Sequence, residues 1–411
     1  MNETGDVPAS TAPLGRNREF RLLWIGQAVS MLGARVVAVA TPLVVLRYFH
    51  SPALAGIAAF VAFLPGVTIQ LPAGVWVDRW DRRRVMIAAE SGRLIAFTSL
   101  AVAGLAGLFT PAHLLAVLLA EGVARTFFGL AEFSALPMVV ARTHITTALS
   151  RNEIRTRVAT LLGPGVAGVL FSIGSLLPFV FGALSALVAC WSSYLLRGPL
   201  TATASANAHR GMRDDLAEGM RWMRRNPFFL WSAVIISGYG IVGMGFPLAA
   251  TLQLQALGAS PGYIGFALGA LGFGGLIGAA LAPRIIPRSS TSTVIIAVPW
   301  AIGASLLLAT AMPTPLLFAF WLPPVSIAAV LMNVALGAAR LHAIPEHLRA
   351  RVAGVTGMIC APGPLGALLV GFTTALWSTR AAMLVLACGM LVVACAALAC
   401  PDLGEVDRPP T

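Results

Sequence analysis

Long apolar runs, separated by short turns that carry arginine, constrain this sequence more than any other feature. Each run is about 20 residues or longer, which is the length that crosses the hydrocarbon core of a bilayer as a helix. Only 11% of the 411 residues are charged, whereas a soluble chain carries about 25%. The sequence therefore predicts an all-α integral membrane protein. The continuous runs argue against a membrane β-barrel, whose strands are about 10 residues long and alternate in polarity.

We predict twelve membrane-spanning helices in two six-helix halves. The spans lie near 20–47, 52–77, 84–109, 112–141, 153–175, 177–196, 229–256, 261–283, 291–311, 315–340, 351–376 and 380–400. The corresponding domains are an N-terminal tail over 1–19, a first bundle over 20–196, a central loop over 197–228, a second bundle over 229–400 and a C-terminal tail over 401–411.

The distribution of arginine predicts the orientation of these spans. Basic residues accumulate in cytoplasmic turns of membrane proteins, and the turns that would be inside contain Arg79 to Arg84, Arg142, Arg151, Arg155, Arg157, Arg284, Arg288, Arg349 and Arg351. The turns that would be outside have only Arg47 and Arg380 nearby. Both termini are thus expected in the cytoplasm, with the protein in the inner membrane. Arginines spread over short turns do not indicate nucleic-acid binding.

Other chemistry finds little support in the sequence. The five cysteines lie in apolar runs without Cys-x-x-Cys spacing, and the six histidines have no carboxylate or cysteine at ligand spacing. The chain has no lysine, so it cannot contain the Gly-x-x-x-x-Gly-Lys phosphate loop of ATP-driven proteins. We expect no metal, no cofactor and no enzymatic activity.

The central loop contains one amphipathic segment. Over 211–225, helical spacing places Met212, Leu216, Met220 and Met223 on one side and the charges elsewhere. The segment is predicted to form a helix on the cytoplasmic surface that links the halves, and a regulatory role is the alternative.

Charged residues inside the spans are confined to the first half. Each costs about 2.5–3.5 kcal/mol at mid-bilayer on insertion scales, so such residues face a bundle interior or a wet cavity. The candidates are Arg35, Glu90, Arg93, Glu121, Arg125 and Glu132. With three charges of each sign, this set can neutralise itself.

Depth along the helices predicts how these charges pair. Glu121 and Arg125 are four residues apart with the glutamate first, the favourable order for an ion pair on a helix, and Arg35 lies at a similar level. Glu132 and Arg93 are predicted to pair nearer the cytoplasm. Two interpretations stay open: a fixed salt-bridge network, or proton carriage by Glu121, or failing that Glu132, tuned by Arg35 and Arg125.

Three motifs resemble those of the major facilitator superfamily, over residues from about 16 to 400. The segment Gly74-Val-Trp-Val-Asp78-Arg79-Trp-Asp81-Arg82-Arg83 resembles the loop between its second and third helices. In this segment Asp81 replaces a glycine, as in the drug-exporter branch related to macrolide and enterobactin efflux proteins. Arg125-Thr-Phe-Phe-Gly129 is similar to the Arg-x-x-Gln-Gly motif of the fourth helix.

The fifth span carries the third motif, Gly163-Pro164-Gly165-Val-Ala167-Gly168, which resembles a sequence associated with antiporters. The glycine is expected to allow close packing at the interface between the two halves, and the proline to permit a bend. Gly363-Pro364 in the eleventh span and Gly278 in the eighth match Gly163-Pro164 and Gly74, which suggests an internal duplication.

The resemblance implies two bundles that rock about a central cavity and a cytoplasmic latch. In the latch, Gly74 lets two helices approach and Asp78 meets a helix N-terminus or a basic group. The exporter branch often has an aspartate after the glycine that corresponds to Gly33. Here Ala34 and Arg35 follow it, so no first-helix carboxylate can carry protons.

We therefore predict a proton-coupled efflux antiporter for a bulky amphipathic molecule such as a drug, antibiotic or siderophore. The candidate cavity residues are Gln27, Tyr239, Trp321 and Asn333. A proton-coupled uptake symporter and a non-transporting sensor or assembly protein of the same fold are the alternatives. The expected partners are the substrate, protons and the lipid bilayer, and the protein is expected to be a monomer.

Overall fold

The structure, a computed structural model, describes residues 14–197, 200–201, 212–345 and 348–400. Within these ranges the regular elements are all helices. Most of the predicted N-terminal tail, the whole predicted C-terminal tail and part of the central loop lie outside the described residues.

The chain divides into two compact units. Unit 1 is formed by the described residues of Met1–Ala40 and Val61–Ser205, and unit 2 by those of Thr41–Phe60 and Ala206–Thr411. The first seven helices are α1 (Arg18–Phe49), α2 (Pro52–Thr68), α3 (Gln70–Arg79), α4 (Arg82–Leu105), α5 (Pro111–Val139), α6 (Ile145–Ile173) and α7 (Leu177–Tyr194). The other eight are α8 (Met212–Arg225), α9 (Pro227–Ala256), α10 (Pro261–Ile285), α11 (Thr291–Thr310), α12 (Pro315–Ala343), α13 (Arg349–Ile359), α14 (Leu365–Leu376) and α15 (Thr379–Leu398).

The membrane spans follow the predicted apolar runs. Among the described residues ten helices are long and apolar enough to cross a membrane, or eleven if the bent pair α2–α3 forms one span. The predicted number of twelve is consistent with this count. Several spans begin where a hydroxyl oxygen accepts a hydrogen bond from a first-turn N–H group, which caps the helix. These caps are Thr110, Ser260, Ser290, Thr314 and Ser378.

Proline breaks two of the predicted spans. The second span divides into α2 and α3, with a 60° bend, because in a continuous helix Pro72 would have no N–H to donate and its ring would clash with the carbonyl of Thr68 at the end of α2. The eleventh span divides into α13 and α14 at Pro362 and Pro364. The prediction of continuous helices over 52–77 and 351–376 is wrong at these points.

The two predicted repeats therefore differ in detail. Helix α6 continues through Pro164, whereas Pro364 caps the start of α14. A Cβ atom built on Gly278 would lie 3.0 Å from the carbonyl oxygen of Ile327, but one built on Gly74 would meet nothing within 4 Å. The close helix approach predicted at Gly74 is not found in this structure.

The amphipathic helix of the central loop is confirmed as α8. The Met223 side chain is fully buried, and Glu218 forms an ion pair of 2.8 Å with Arg351 of α13. A Cβ on Gly219 would lie 2.9 Å from the Arg351 carbonyl oxygen, so the two helices are in close contact. Helix α8 thus packs on a helix of unit 2.

Candidate functional site

The most deeply buried charges of unit 1 are Glu90 and Arg93, one turn apart on α4. The Arg93 Nη1 atom lies 2.8 Å from Glu90 Oε1, and both residues are almost completely excluded from solvent. The Ser30 hydroxyl of α1 donates a hydrogen bond of 2.7 Å to the same carboxylate oxygen and accepts one from Arg93. This cluster ties α1 to α4, and the Glu90 carboxylate accepts three hydrogen bonds from two donor atoms, Ser30 Oγ and Arg93 Nη1.

Glu121 of α5 lies between two arginines. Its Oε1 atom is 3.3 Å from Arg125 Nε and 3.9 Å from Arg93 Nε. Neither contact is a hydrogen bond, and none of the described residues donates one to this carboxylate. The Glu121–Arg125 pair confirms the prediction from their spacing. Of the three buried glutamates, Glu121 has the least fixed surroundings.

Glu132 is held differently from the prediction. Its carboxylate accepts a hydrogen bond of 2.8 Å from Gln27 of α1 and one of 3.0 Å from Arg155 of α6. The predicted pairing of Glu132 with Arg93 is wrong, because Arg93 faces Glu90 and Glu121. Gln27, which we predicted in the substrate cavity, is buried and belongs to this ionic cluster.

Arg155 was predicted in a cytoplasmic turn but is a buried residue of a helix. The fifth span was expected to start near 153, whereas α6 starts at Ile145. Residues 145–152 contain neither glycine nor proline, so the sequence did allow this longer helix. The extra two turns place Arg155 inside the unit, where its charge compensates Glu132.

Arg35 of α1 has no ion pair in the part of the chain that the structure describes, and its side chain is exposed. The like charge of Arg125 lies close enough to repel it. With Arg155 included, the spans of unit 1 hold three of these carboxylates and four guanidinium groups, which leaves one surplus positive charge. The six predicted residues balance one another, and the surplus arises because Arg155 joins them as a seventh charge.

The loop motif is built around Asp81 more than around Asp78. The Asp81 carboxylate accepts hydrogen bonds from the backbone N–H groups of Arg83 at 3.1 Å and Leu200 at 3.0 Å, and it thereby caps α4. Asp78 is 72% exposed and lies 3.5 Å from Arg82 in the same segment. The predicted role of Asp78 as a latch thus stays a prediction.

The arginines of the motif have different environments. Arg82 is buried and donates to the Trp80 carbonyl oxygen, whereas Arg79 is exposed. Arg83 donates to the carbonyl oxygens of Ser193 and Tyr194 at the end of α7, where a cation suits the helix dipole. The motif therefore connects the start of α4 to the end of α7.

Replacing Asp81 by alanine should lower the free energy of unfolding by about 1–2 kcal/mol, because the α4 cap and the bond to Leu200 are lost together. The melting temperature of the detergent-solubilised protein measures this loss. Glu153→Ala is the matched control, because both partners of the Glu153–Arg157 ion pair are exposed and such a pair contributes little. Equal melting temperatures for the two variants would contradict the assignment.

The fifth-span motif packs against α1. A Cβ on Gly163 would lie 2.6 Å from the Cβ of Arg35, whereas a Cβ on Gly165 would meet nothing within 4 Å. Pro164 and Gly168 are buried in the same helix. Gly163 thus packs closely on α1 within unit 1, beside the unpaired arginine, and its predicted place at the interface between the two halves stays a prediction.

Gly163→Ala should therefore destabilise the protein by about 1–3 kcal/mol through overpacking. Gly165→Ala should have no cost or a small benefit, because alanine favours a helix where space is available. The melting temperatures of the two variants are compared with that of the wild type. If both variants lose stability equally, the contact of Gly163 with Arg35 is not the cause of the loss.

The predicted cavity residues of unit 2 separate into two groups. Tyr239 and Asn333 line a cavity of about 150 Å³ together with Arg340. Trp321 instead donates a hydrogen bond of 3.0 Å to the Ser305 carbonyl oxygen and joins α12 to α11. Arg340, which donates to the Thr356 hydroxyl, was missed because it stands at the predicted end of its span.

Comparison with known proteins decides the family. The sequence profile of the Major Facilitator Superfamily matches residues 23–365. The chain belongs to this superfamily. It is 28% identical to the multidrug efflux pump Tap of Mycobacterium tuberculosis over 418 aligned positions, which cover 95% of each chain. It is 24% identical to macrolide efflux protein A of Streptococcus pyogenes, over 95% of this chain and 97% of that one.

A solved structure shows the same major facilitator fold. A mutant of the nucleoside transporter NupG matches with a TM-score of 0.77 over 94% of this chain and 100% of its own, at 14% sequence identity. The chain is thus a multi-pass membrane protein of a family that transports small molecules. Within this major facilitator protein, the three buried glutamates and their arginines form the most extensive charged site that the described residues show.

Proposed function

We propose that this protein is a proton-coupled antiporter that exports an amphipathic small molecule by alternating access. Two relatives that align over nearly the whole chain are named a multidrug efflux pump and a macrolide efflux protein. The proposal places the protein in the inner membrane as a monomer, with both termini in the cytoplasm. It keeps the predicted division into two bundles over 20–196 and 229–400.

The observation that carries the proton coupling is the arrangement around Glu121. This carboxylate is buried, with 8% of its side chain exposed, while its partner Arg125 is 41% exposed. Buried ionisable groups in membrane helices mark ion pathways. A carboxylate held by ion pairs alone can exchange an arginine for a proton with less rearrangement than Glu90 or Glu132, which hydrogen bonds fix. We therefore assign the proton to Glu121.

Transport into everted membrane vesicles tests this function. The vesicles come from a host whose own exporters are deleted, and the panel contains radiolabelled macrolides, tetracyclines, siderophores and amphipathic carboxylic acids. We expect at least one compound to accumulate when respiration supplies a proton gradient, and this accumulation to collapse with a protonophore. Accumulation that survives the protonophore, or none across the panel, would contradict the proposal.

A further inference from the structure

The surplus charge of Arg35 requires an explanation that the glutamates cannot provide. Each of the three buried carboxylates of unit 1 faces another arginine. A charged group deep in a membrane span is costly unless water or an opposite charge compensates it. The described residues of the chain supply no such opposite charge to Arg35.

Arg35 is also too deep to reach the membrane surface. It lies 17 residues from the start of α1 at Arg18 and 14 from its end at Phe49, which corresponds to about 20 Å or more along the helix in either direction. Long basic side chains escape the bilayer only near helix ends. The exposed Arg35 side chain therefore faces an opening within the protein.

A second guanidinium group faces the same region. Arg125 repels Arg35 electrostatically and its side chain is 41% exposed, and its Cζ atom lies 5.3 Å from the centroid of the Phe63 ring. Arg125 also donates a hydrogen bond of 2.9 Å to the Ala62 carbonyl oxygen, which fixes its position. The opening thus combines two positive charges with an aromatic surface.

We propose that Arg35, assisted by Arg125, binds a carboxylate of the substrate, so that the exported molecule is an amphipathic carboxylic acid. The guanidinium fork matches a carboxylate with two parallel hydrogen bonds. The ring of Phe63 is placed to contact the apolar part of such a molecule. This inference rests on the proposed transport function for its biological meaning, but it concerns binding, which can be measured without transport.

Binding of three related probes tests the inference. 2-Naphthylacetate, 2-naphthylacetamide and 2-naphthylethylamine share an aromatic body and differ in charge. Their dissociation constants are measured by calorimetry on the purified full chain in phosphatidylcholine nanodiscs. We expect the carboxylate to bind about tenfold more tightly than the amide, and the amine to bind most weakly.

Variants of Arg35 test whether this residue causes the preference for the carboxylate over the amide. Arg35→Gln should remove the roughly tenfold preference while leaving the amide's affinity unchanged, and that unchanged affinity shows that the variant is folded. Arg35→Lys should retain part of the preference. Arg157→Gln, which removes an exposed arginine already paired with Glu153 at 2.8 Å, should change nothing.

Three results would overturn the inference. These are equal binding of carboxylate and amide to the wild-type chain, a preference that persists in Arg35→Gln, and loss of carboxylate binding when phosphatidylglycerol is added to the nanodiscs. The last result would identify an anionic lipid as the ligand. If the protein prefers the carboxylate but transports nothing in vesicles, the proposed export function is wrong and the inference about carboxylate binding stands.

Discussion

Replacing Glu90 by alanine should cost about 3–5 kcal/mol and leave little folded protein in the membrane. The reason is that Arg93 would keep its charge in a fully buried position without its closest carboxylate, and removing one partner of a buried ion pair has this order of cost. Glu121, at 3.9 Å from Arg93 Nε, compensates only in part. The yield of monodisperse protein and its melting temperature measure the effect.

Glu153→Ala provides the control for Glu90→Ala. Glu153 pairs with Arg157 on α6, but its side chain is 61% exposed, so its removal should change the free energy of unfolding by about 0.5 kcal/mol or less. The double variant Glu90→Leu/Arg93→Leu should recover most of the lost stability, because an apolar pair can replace a buried ion pair. If the double variant is as unstable as Glu90→Ala, the unpaired charge is not the cause.

Glu121→Gln should separate transport from the proton gradient. Glutamine keeps the shape of the side chain but cannot bind and release a proton, so gradient-driven accumulation should fall by about tenfold or more, while exchange of substrate for substrate continues. Both reactions are measured in proteoliposomes, by uptake under a pH gradient and by counterflow at equal pH.

Glu132→Gln distinguishes proton coupling from a structural effect. This substitution leaves Arg155 without its carboxylate, so it should lower the melting temperature but preserve coupling in the protein that folds. Two results would contradict the assignment of the proton to Glu121. One is that Glu121→Gln loses substrate exchange as well as proton coupling, and the other is that only Glu132→Gln loses coupling.

The spans could be predicted because the length of an apolar run in the sequence matches the length of the helix that crosses the membrane. Continuous apolar runs placed the ends of most helices near their observed positions. The Glu121–Arg125 pair followed from four-residue spacing on one helix. The pair Glu90–Arg93 had a local signal of the same kind, a spacing of three residues, but it was assigned differently.

Contacts between helices could not be obtained in this way. Whether Glu132 meets Arg93 or Arg155 depends on how α4, α5 and α6 rotate about their axes, and sequence spacing does not determine that rotation. Arg155 was assigned to a turn because positive charge usually marks the end of a span, and its burial depends on a partner 23 residues away. That Arg35 has no carboxylate partner follows only once the partners of Glu90, Glu121 and Glu132 are known.

The direction of proton movement tests the central claim most directly. Wild-type proteoliposomes are filled with the pH-sensitive dye pyranine, and a compound identified in the vesicle panel is added outside at equal pH. An antiporter must release protons from the lumen as the compound enters, so we predict that the lumen becomes alkaline and that Glu121→Gln shows no change. Acidification of the lumen, as a symporter would produce, or uptake without a pH change in the wild type would contradict the account.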